Sequence, residues 1–547
     1  MGATVPETKW WGWGDTARAR SLESLPELRA FLRQALDLPD TVEPLRVPDA
    51  ESIRLPPTHL AAGDADALRD LLGRDAVSDA PMERLRHACG KGYRDLVRLR
   101  LGDVAAAPDL VLFPGSEADV GKVLAFCAER GVAVVPFGGG TSVVGGVEVS
   151  DPSRPHATLD LRRMARLLQV DGTSLTATAE AGIFGPALEA QLAAQGVGLG
   201  HFPQSFEYST LGGWIASRST GAFSNRYGKI EDLVVDVRLL APTGVHDLRG
   251  RPRHAMGPDL VALAVGSEGT LGVITRATVR VHRTPEARKF ESVLFPGFEQ
   301  GLEALRGMAQ EGMSPDLAYL DDEDETRLSV AAAGGSKTAT ALLRLRGITL
   351  DRASLAYFGY EGSRESVSRR FGLGRSYWRP GVAAGPGPAE RWMESRFVTP
   401  YVRDSLIEHR VLVDTVETAA LWSNVERVHA AVRRAFHAAV AAVGVPGWIG
   451  CHVSHIYSEG ASLYFTFMAR QRRGEELTQY DAVKRAVTRA ILDGGGQLSH
   501  HHGIGSEHAP YFREAIGDEN WRLLRELKRT LDPRGIMNPG KIFPVGA

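Results

Sequence analysis

Pro136-Phe137-Gly138-Gly139-Gly140-Thr141-Ser142, "PFGGGTS", decides how this 547-residue chain is read. It follows the apolar run Val132-Ala133-Val134-Val135, so the glycines stand at the end of a strand. Three glycines in a row expose backbone N–H groups and permit positive φ, as a backbone nest around a phosphate requires. The loop has no lysine in Walker position and no G-x-G-x-x-G, which argues against a P-loop and against a dinucleotide fingerprint of the Rossmann type. Taken alone it could be a plain tight turn.

Two further stretches repeat its chemistry of glycines, hydroxyls and small residues beside apolar runs: Pro203 to Gly228, "PQSFEYSTLGGWIASRSTGAFSNRYG", and Gly266 to Thr275, "GSEGTLGVIT". Three such loops in one region point to an elongated, phosphorylated ligand held mainly by backbone, and a dinucleotide is the natural candidate. Around them the texture is that of an α/β block: "DLVLFP", a helical "SEADVGKVLAFCAERG" and "VAVVPF" begin a βαβ unit, and "LTATAEAG", "LVVDVRLLAP" and "GVITRATVRV" read as strands.

Outside this block, residues 1–105 read as helical pieces joined by proline-rich connectors, an N-terminal wrap. Residues 287–495 read as a second α+β region with a helical "NVERVHAAVRRAFHAAVAAVG" before strands "GWIGCHVSHIY" and "ASLYFTFMARQ". Within it, "WRPGVAAGPGPAERW" has too much proline and glycine for regular structure. Residues 496–547 are too few for a core of their own and are expected to pack on another domain. The nucleotide block proper is 106–286.

Composition narrows the function classes. With 64 basic and 66 acidic residues interleaved along the chain, no electrostatic footprint for nucleic acid exists. Cys89, Cys127 and Cys451 form no short C-x-x-C pair, so neither a disulfide framework nor a zinc-thiolate site is indicated, consistent with a reducing cytoplasm. No apolar run approaches the roughly 18 residues of a membrane span, and the arginine-rich, lysine-poor composition suggests a bacterial source.

The three loops resemble the FAD-contacting loops of the vanillyl-alcohol-oxidase-type flavoproteins, in that family's order and spacing. The resemblance implies a two-subdomain FAD domain of the PCMH type with an α+β cap. It places FAD on Pro136, Phe137, Gly138, Gly139, Gly140, Thr141 and Ser142, and on Gln204, Ser205, Phe206, Glu207, Tyr208, Ser209, Thr210, Gly212, Gly213, Ser217, Arg218, Ser219 and Thr220. The third loop adds Glu268, Gly269, Thr270, Leu271, Gly272, Val273 and Ile274. Thr141 and Ser142 follow the glycines where covalent members carry a histidine, so the FAD is expected to be non-covalent.

Closer similarity runs through "KWWGWGD", "GHFPQSFEYSTLGGWIASRSTG", "MGPDLVALAVGSEGTLGVIT", "YVRDSLIEHRVLVDTVETAALW" and "SHHHGIG". These resemble the alkyldihydroxyacetonephosphate synthases, which exchange the acyl chain of acyl-dihydroxyacetone phosphate for a fatty alcohol in ether-lipid synthesis without net redox change. The resemblance implies catalytic roles for Tyr464, Arg403, His500, His501 and His502, a lipid-like substrate, peripheral membrane contact and a homodimer. A phenol beside positive charge can take a substrate proton, and Arg403 offers a fork for phosphate or carboxylate. Tyr464 could equally be a core aromatic, and Arg403 a surface helix charge.

On an extended segment alternate side chains face opposite ways, so at most His500 and His502 are expected to face one pocket. A metal site of Cys451, His452, His455 and His502 is the lesser alternative, and no metal is assigned. Two departures stand out: His452 and Tyr319 replace arginines of the family pattern. The ending "DPRGIMNPGKIF" resembles flavin-dependent D-lactate and glycolate dehydrogenases, making FAD-linked oxidation of a D-2-hydroxy acid the rival function. A non-catalytic flavin or metal binder is the third reading.

Overall fold

The computed structural model describes residues 6–250, 253–333 and 348–545. Strands Leu110–Leu112, His156–Asp160 and Ala133–Phe137 pair in parallel in that order, with Val77–Ser78 antiparallel at one edge. The expected βαβ unit is present, although its two strands flank His156–Asp160 instead of touching each other. Its helix, Glu117–Arg130, starts where Ser116 accepts the Asp119 N–H and stops at Gly131, whose φ of 70° suits a residue without a side chain. A second sheet, antiparallel, runs Leu167–Asp171, Thr176–Glu180, Val273–Arg280, Val234–Ala241, Gly244–Arg249. Helix α1, Leu211–Ser217, capped by the Thr210 hydroxyl, packs on Val273–Arg280 of this sheet.

The cap is a seven-stranded antiparallel sheet in the order Val382–Gly385, Ala287–Phe295, Ser354–Gly362, Leu317–Asp321, Gly447–Val453, Gly460–Arg470, Val411–Leu421. Six elements here build the site: β1 (Leu317–Asp321), α2 (Glu323–Ala332), α3 (Thr399–Glu408), β2 (Val411–Leu421), β3 (Gly447–Val453) and β4 (Gly460–Arg470). Strand β4 alternates: Leu463, Phe465, Phe467 and Ala469 enter the hydrophobic core, and Tyr464, Thr466 and Met468 point to the other face. The core side is closed by helix Val425–Val443, which buries Val425, Val428, Val432, Phe436 and Val440 at helical spacing.

One segment differs from its sequence reading. "WRPGVAAGPGPAERW" forms an edge strand, Val382–Gly385, and a helix, Gly387–Ser395. An edge strand tolerates the missing pairings that proline and glycine bring, and Pro388 occupies the first turn of the helix, where its absent N–H leaves nothing unpaired.

The N-terminal pieces close only a small core of their own, Leu85, Ala88, Leu99, Val104 and Ala107, and otherwise pack on the other domains. Leu28, Leu32 and Leu36 of helix Pro26–Leu36 join the cap core, whereas Leu68 of Ala62–Leu72 joins that of the nucleotide block. The C-terminal tail likewise enters the nucleotide core through Ile536 and Met537, with Val134 donating to Ile536 O and Asn538 donating back to Val134 O.

Candidate active site

The pairing register of the cap sheet sets four side chains in one row. Asp321 lies opposite His452, His452 opposite Tyr464, and Tyr464 opposite Glu417. Cross-strand partners share a face, so residues from three distant stretches of sequence become neighbours. Two residues along the strands, about 7 Å away, the row becomes Thr466 and Thr415; two further on, it becomes Met468 and Val413. This face therefore grades from ionisable to apolar, and it forms one wall of a cavity of about 1500 Å³.

Tyr464 is sandwiched by imidazoles, its ring parallel to His452 at 4.8 Å and to His501 at 5.8 Å between centroids. Its hydroxyl donates to Thr415 Oγ1 at 3.2 Å. Burial pushes the phenol up to about 12, against the smaller opposing pulls of Thr415 and Arg403. The expected lowering by neighbouring positive charge comes from Arg403 alone and is outweighed, because the surrounding imidazoles are themselves driven toward the neutral form: burial brings His452 and His502 down to about 3.

Arg403, on α3, lines the cavity, and its Nε and Nη2 are buried with no hydrogen-bond partner. Two buried guanidinium nitrogens without a partner among the described residues are chemically suited to an anion. The next residue explains how the helix is held. Asp404 accepts from Lys9 Nζ at 2.7 Å and from Trp13 N at 2.9 Å, so the N-terminal "KWWGWGD" is a strap on the helix that carries the arginine. At Gly12 an added Cβ would overlap the Asp404 carboxylate.

The histidine triplet is not extended. The backbone N–H groups of His500, His501 and His502 all converge on the Glu417 carboxylate, at 2.6, 3.2 and 2.9 Å, and Ser499 Oγ adds a fourth donor at 2.6 Å. Three successive N–H groups can share one acceptor only if the chain curls into a nest, which destroys the strand alternation. Thus His501 and His502 line the cavity, whereas His500 turns away, its Nε2 against the Tyr457 hydroxyl at 2.6 Å. The expectation that His500 and His502 would share the pocket is corrected accordingly. Burial alone would raise the Glu417 carboxyl, but His501, His502, His500 and the Ser499 hydroxyl together hold it well below the usual carboxylate range.

The second half of the loop is tied to the nucleotide block. Ile504 and Gly505 donate to Glu268 at 2.6 and 2.7 Å, and Lys229 Nζ donates to His500 O at 2.8 Å. Burial raises Glu268 to about 7 despite these two N–H bonds.

Of the loop residues expected at the cofactor, Pro136 through Ser142, Gln204, Ser205, Ser209, Thr210, Gly212, Gly213, Ser217, Ser219, Thr220, Glu268, Gly269, Gly272 and Ile274 line the same cavity. The others point elsewhere. Phe206 stacks on Trp214 and Phe397, Tyr208 bonds the Tyr401 hydroxyl at 2.7 Å, Glu207 pairs with Arg18, and Arg218 faces Glu231. Thr270 bonds Ser267 O, and Leu271 and Val273 are core. The metal set of Cys451, His452, His455 and His502 does not assemble, because Cys451 alternates into the hydrophobic core, away from His452.

Residues 108–248 match the family model of an FAD binding domain, and residues 284–542 that of the FAD linked oxidases, C-terminal domain. Alkyldihydroxyacetonephosphate synthase of Trypanosoma brucei brucei is 36% identical, over 98% of this chain and 92% of its own. A solved structure of alkyldihydroxyacetonephosphate synthase superposes with a TM-score of 0.85 at 33% identity, covering 98% of both chains. This chain belongs to the alkyldihydroxyacetonephosphate synthase family. A solved p-cresol methylhydroxylase, 15% identical with a TM-score of 0.68 over 90% of this chain and 99% of its own, shares the fold.

The synthase family works with FAD, and the chain is an FAD-dependent enzyme. The residues present fit that cofactor. Gly138 to Ser142 present successive small residues at the cavity wall, Gly140 has φ of 65°, and hydroxyls of Thr141, Ser217, Ser219 and Thr220 surround the space. The cavity exceeds the roughly 300–1,000 Å³ of an ordinary small-ligand pocket, leaving room for an elongated dinucleotide beside a second ligand.

Among the residues that sequence reading did not single out, Glu417, Thr415 and Asp404 matter most. A lone glutamate in the apolar strand run "VLVDTVETAAL" was the available signal for Glu417.

Proposed function

We propose that this enzyme exchanges the acyl chain of acyl-dihydroxyacetone phosphate for a fatty alcohol. The bond between the ester oxygen and the dihydroxyacetone carbon breaks, the fatty acid leaves as carboxylate, and the alcohol oxygen bonds the same carbon while its proton passes to solvent. No oxidant or reductant is consumed. The observation that carries this reading over hydroxy-acid oxidation is the similarity to the synthases along 98% of the chain.

The geometry supports it. Arg403, orphaned and buried, is suited to the anionic end of the substrate. The apolar end of the sheet face, Val413 and Met468, continues into Leu25, Leu28, Val402 and Leu406 and suits an alkyl chain. The loop residues lining the cavity would hold FAD without a covalent bond, through backbone N–H groups and hydroxyls. Bound FAD supplies a ring able to hold the substrate carbon between departure of the acyl chain and arrival of the alcohol. His501 and His502, kept neutral by burial, act as proton acceptors at their ring nitrogens; Glu417 orients them and stabilises the imidazolium that results. Tyr464, a neutral phenol, donates its proton or a hydrogen bond to the departing oxygen.

Lipid substrates imply docking at a membrane surface, and no helix among the described residues is long and apolar enough to cross one.

The test is anaerobic incubation of FAD-loaded protein with acyl-dihydroxyacetone phosphate and a labelled fatty alcohol. Labelled ether product and free fatty acid in equal amounts are expected without an electron acceptor. Full, stable flavin reduction by a D-2-hydroxy acid, with no ether formed, would overturn the proposal.

A further inference from the structure

At the end of the row opposite Glu417 stands a second group of ionisable side chains that the exchange reaction does not use. Asp321 ends β1 across from His452, and Glu325 reaches over from the first turn of α2. One ligand-capable atom from each lies within 4.8 Å of the others. Both carboxyls are buried, at 0% and 8% exposure. Among the described residues neither forms an ion pair, and Arg433 is engaged by Asp322 and Asp324 instead.

Their oxygens are only partly used. Asp321 Oδ2 accepts from Ser329 Oγ at 2.9 Å, but Asp321 Oδ1 and Glu325 Oε2 have no partner among the described residues. The Glu325 side chain is aimed at the sheet: a Cβ added at Gly450 would overlap its Oε2. Glu325, Ser329 and His452 line the cavity. Two buried acceptors without donors, facing one imidazole across a cavity wall, are arranged for a ligand that is itself positive.

We propose that Asp321, Glu325 and His452 form a binding site for one divalent cation of the Mn²⁺ or Zn²⁺ type. Two carboxylates and an imidazole are the donor set such borderline ions prefer, at ligand distances of about 2.0–2.2 Å. Donors already within 4.8 Å close around an ion by side-chain rotation alone. The hydrogen bond between Tyr319 Oη and His452 Nδ1, 2.6 Å long, is the outer contact that orients a liganding imidazole and leaves Nε2 to face the ion. Three protein ligands leave positions open toward the cavity, where an anionic oxygen of a bound substrate can complete the shell.

Equilibrium dialysis of chelator-treated, FAD-loaded protein against Mn²⁺ alone and Zn²⁺ alone, with metal and flavin counted per chain, tests the site independently of turnover. One tightly held equivalent is expected, weakened at least tenfold by Glu325→Gln and by Asp321→Asn, each with FAD content unchanged. Gly450→Ala, which displaces the Glu325 carboxylate without touching a donor, is expected to weaken it too. The alternative cluster of Glu417, His500 and His501 serves as the control. Retention of the metal in Glu325→Gln and Asp321→Asn, loss of it only in Glu417→Gln, or no uptake by the unaltered protein would each overturn the proposal.

Discussion

Glu417, Glu268, Asp321 and Glu325, carboxyls at this cavity or its wall, differ in what reaches them. Glu417 receives three backbone N–H groups and a hydroxyl, with imidazoles stacked alongside, and is held well below the usual carboxylate range. Glu268 receives two N–H groups, not enough to offset burial, which raises it to about 7. Among the described residues Asp321 has one hydroxyl donor and Glu325 none. Burial and then neighbouring groups of like charge push Glu325 well above its ordinary range, and burial does the same to Asp321. Burial is common to all four, so it does not decide their charge. What surrounds each does, imidazoles and a hydroxyl at Glu417 against carboxyls of like charge at Glu325, and the sheet register puts these extremes at opposite ends of one row.

Tyr464 sits between those extremes, and its replacement has the largest expected effect. Tyr464→Phe keeps the ring stacked between His452 and His501 but removes the hydroxyl. Turnover should fall by about 10²–10⁴-fold, the usual contribution of a positioned acid or base, with FAD binding retained. Unchanged turnover would remove the phenol from the reaction. Glu417→Ala comes next. It strands three buried N–H groups, each worth about 1–3 kcal/mol when left unpaired. A loss of at least about 3 kcal/mol in urea unfolding is expected, together with loss of the flavin signal change on substrate addition as the His501–His502 loop relaxes.

The contrast also marks what could be read from sequence. The glycine loops were legible because backbone that approaches a ligand or another loop excludes side chains: at Gly139 a Cβ would overlap Tyr208 O. Arg403 and Tyr464 were legible by resemblance alone. The row itself was not, because strand register joins residues 321, 417, 452 and 464 across intervals that no local pattern encodes. Strand logic applied to the histidines failed for a related reason: a nest around Glu417 overrides alternation, and its acceptor lies more than 80 residues upstream. Phe206 and Tyr208 stand in a cofactor motif yet serve packing, which motif spacing cannot reveal.

Glu268 sharpens the series through pH. Between about 4.5 and 7 the unfolded chain gives up this proton while the folded chain keeps it. Folding therefore takes up a proton in that window, and stability falls as pH rises, by about 3 kcal/mol at most. Glu417 has the opposite sign: its contribution is present above the unfolded value and lost as pH falls through its depressed folded value. Urea midpoints of Glu268→Gln across pH 4.5–7 should lose the downward slope attributable to this group. A variant slope equal to that of the unaltered protein would mean the two N–H bonds suffice to ionise Glu268, erasing its difference from Glu417.

Glu325→Gln is expected to have the smallest effect on stability, and it separates the two ends of the row most sharply. Burial and the neighbouring carboxyls push this group well above its ordinary range, toward the neutral form, which an amide of the same shape resembles. Its NH₂ can also donate to the orphaned Asp321 Oδ1. The change in unfolding free energy near neutral pH should lie within about 1 kcal/mol of zero, on the stabilising side, because the variant no longer has a proton to take up on folding. The equivalent Glu417→Gln puts an NH₂ against a ring of donors and should destabilise. Equal losses in the two variants would show that these surroundings do not govern the two acids. Opposite signs would establish that one sheet face carries a fixed anion at one end and, at the other, a carboxyl pair that burial disfavours as anions and that is open to a cation.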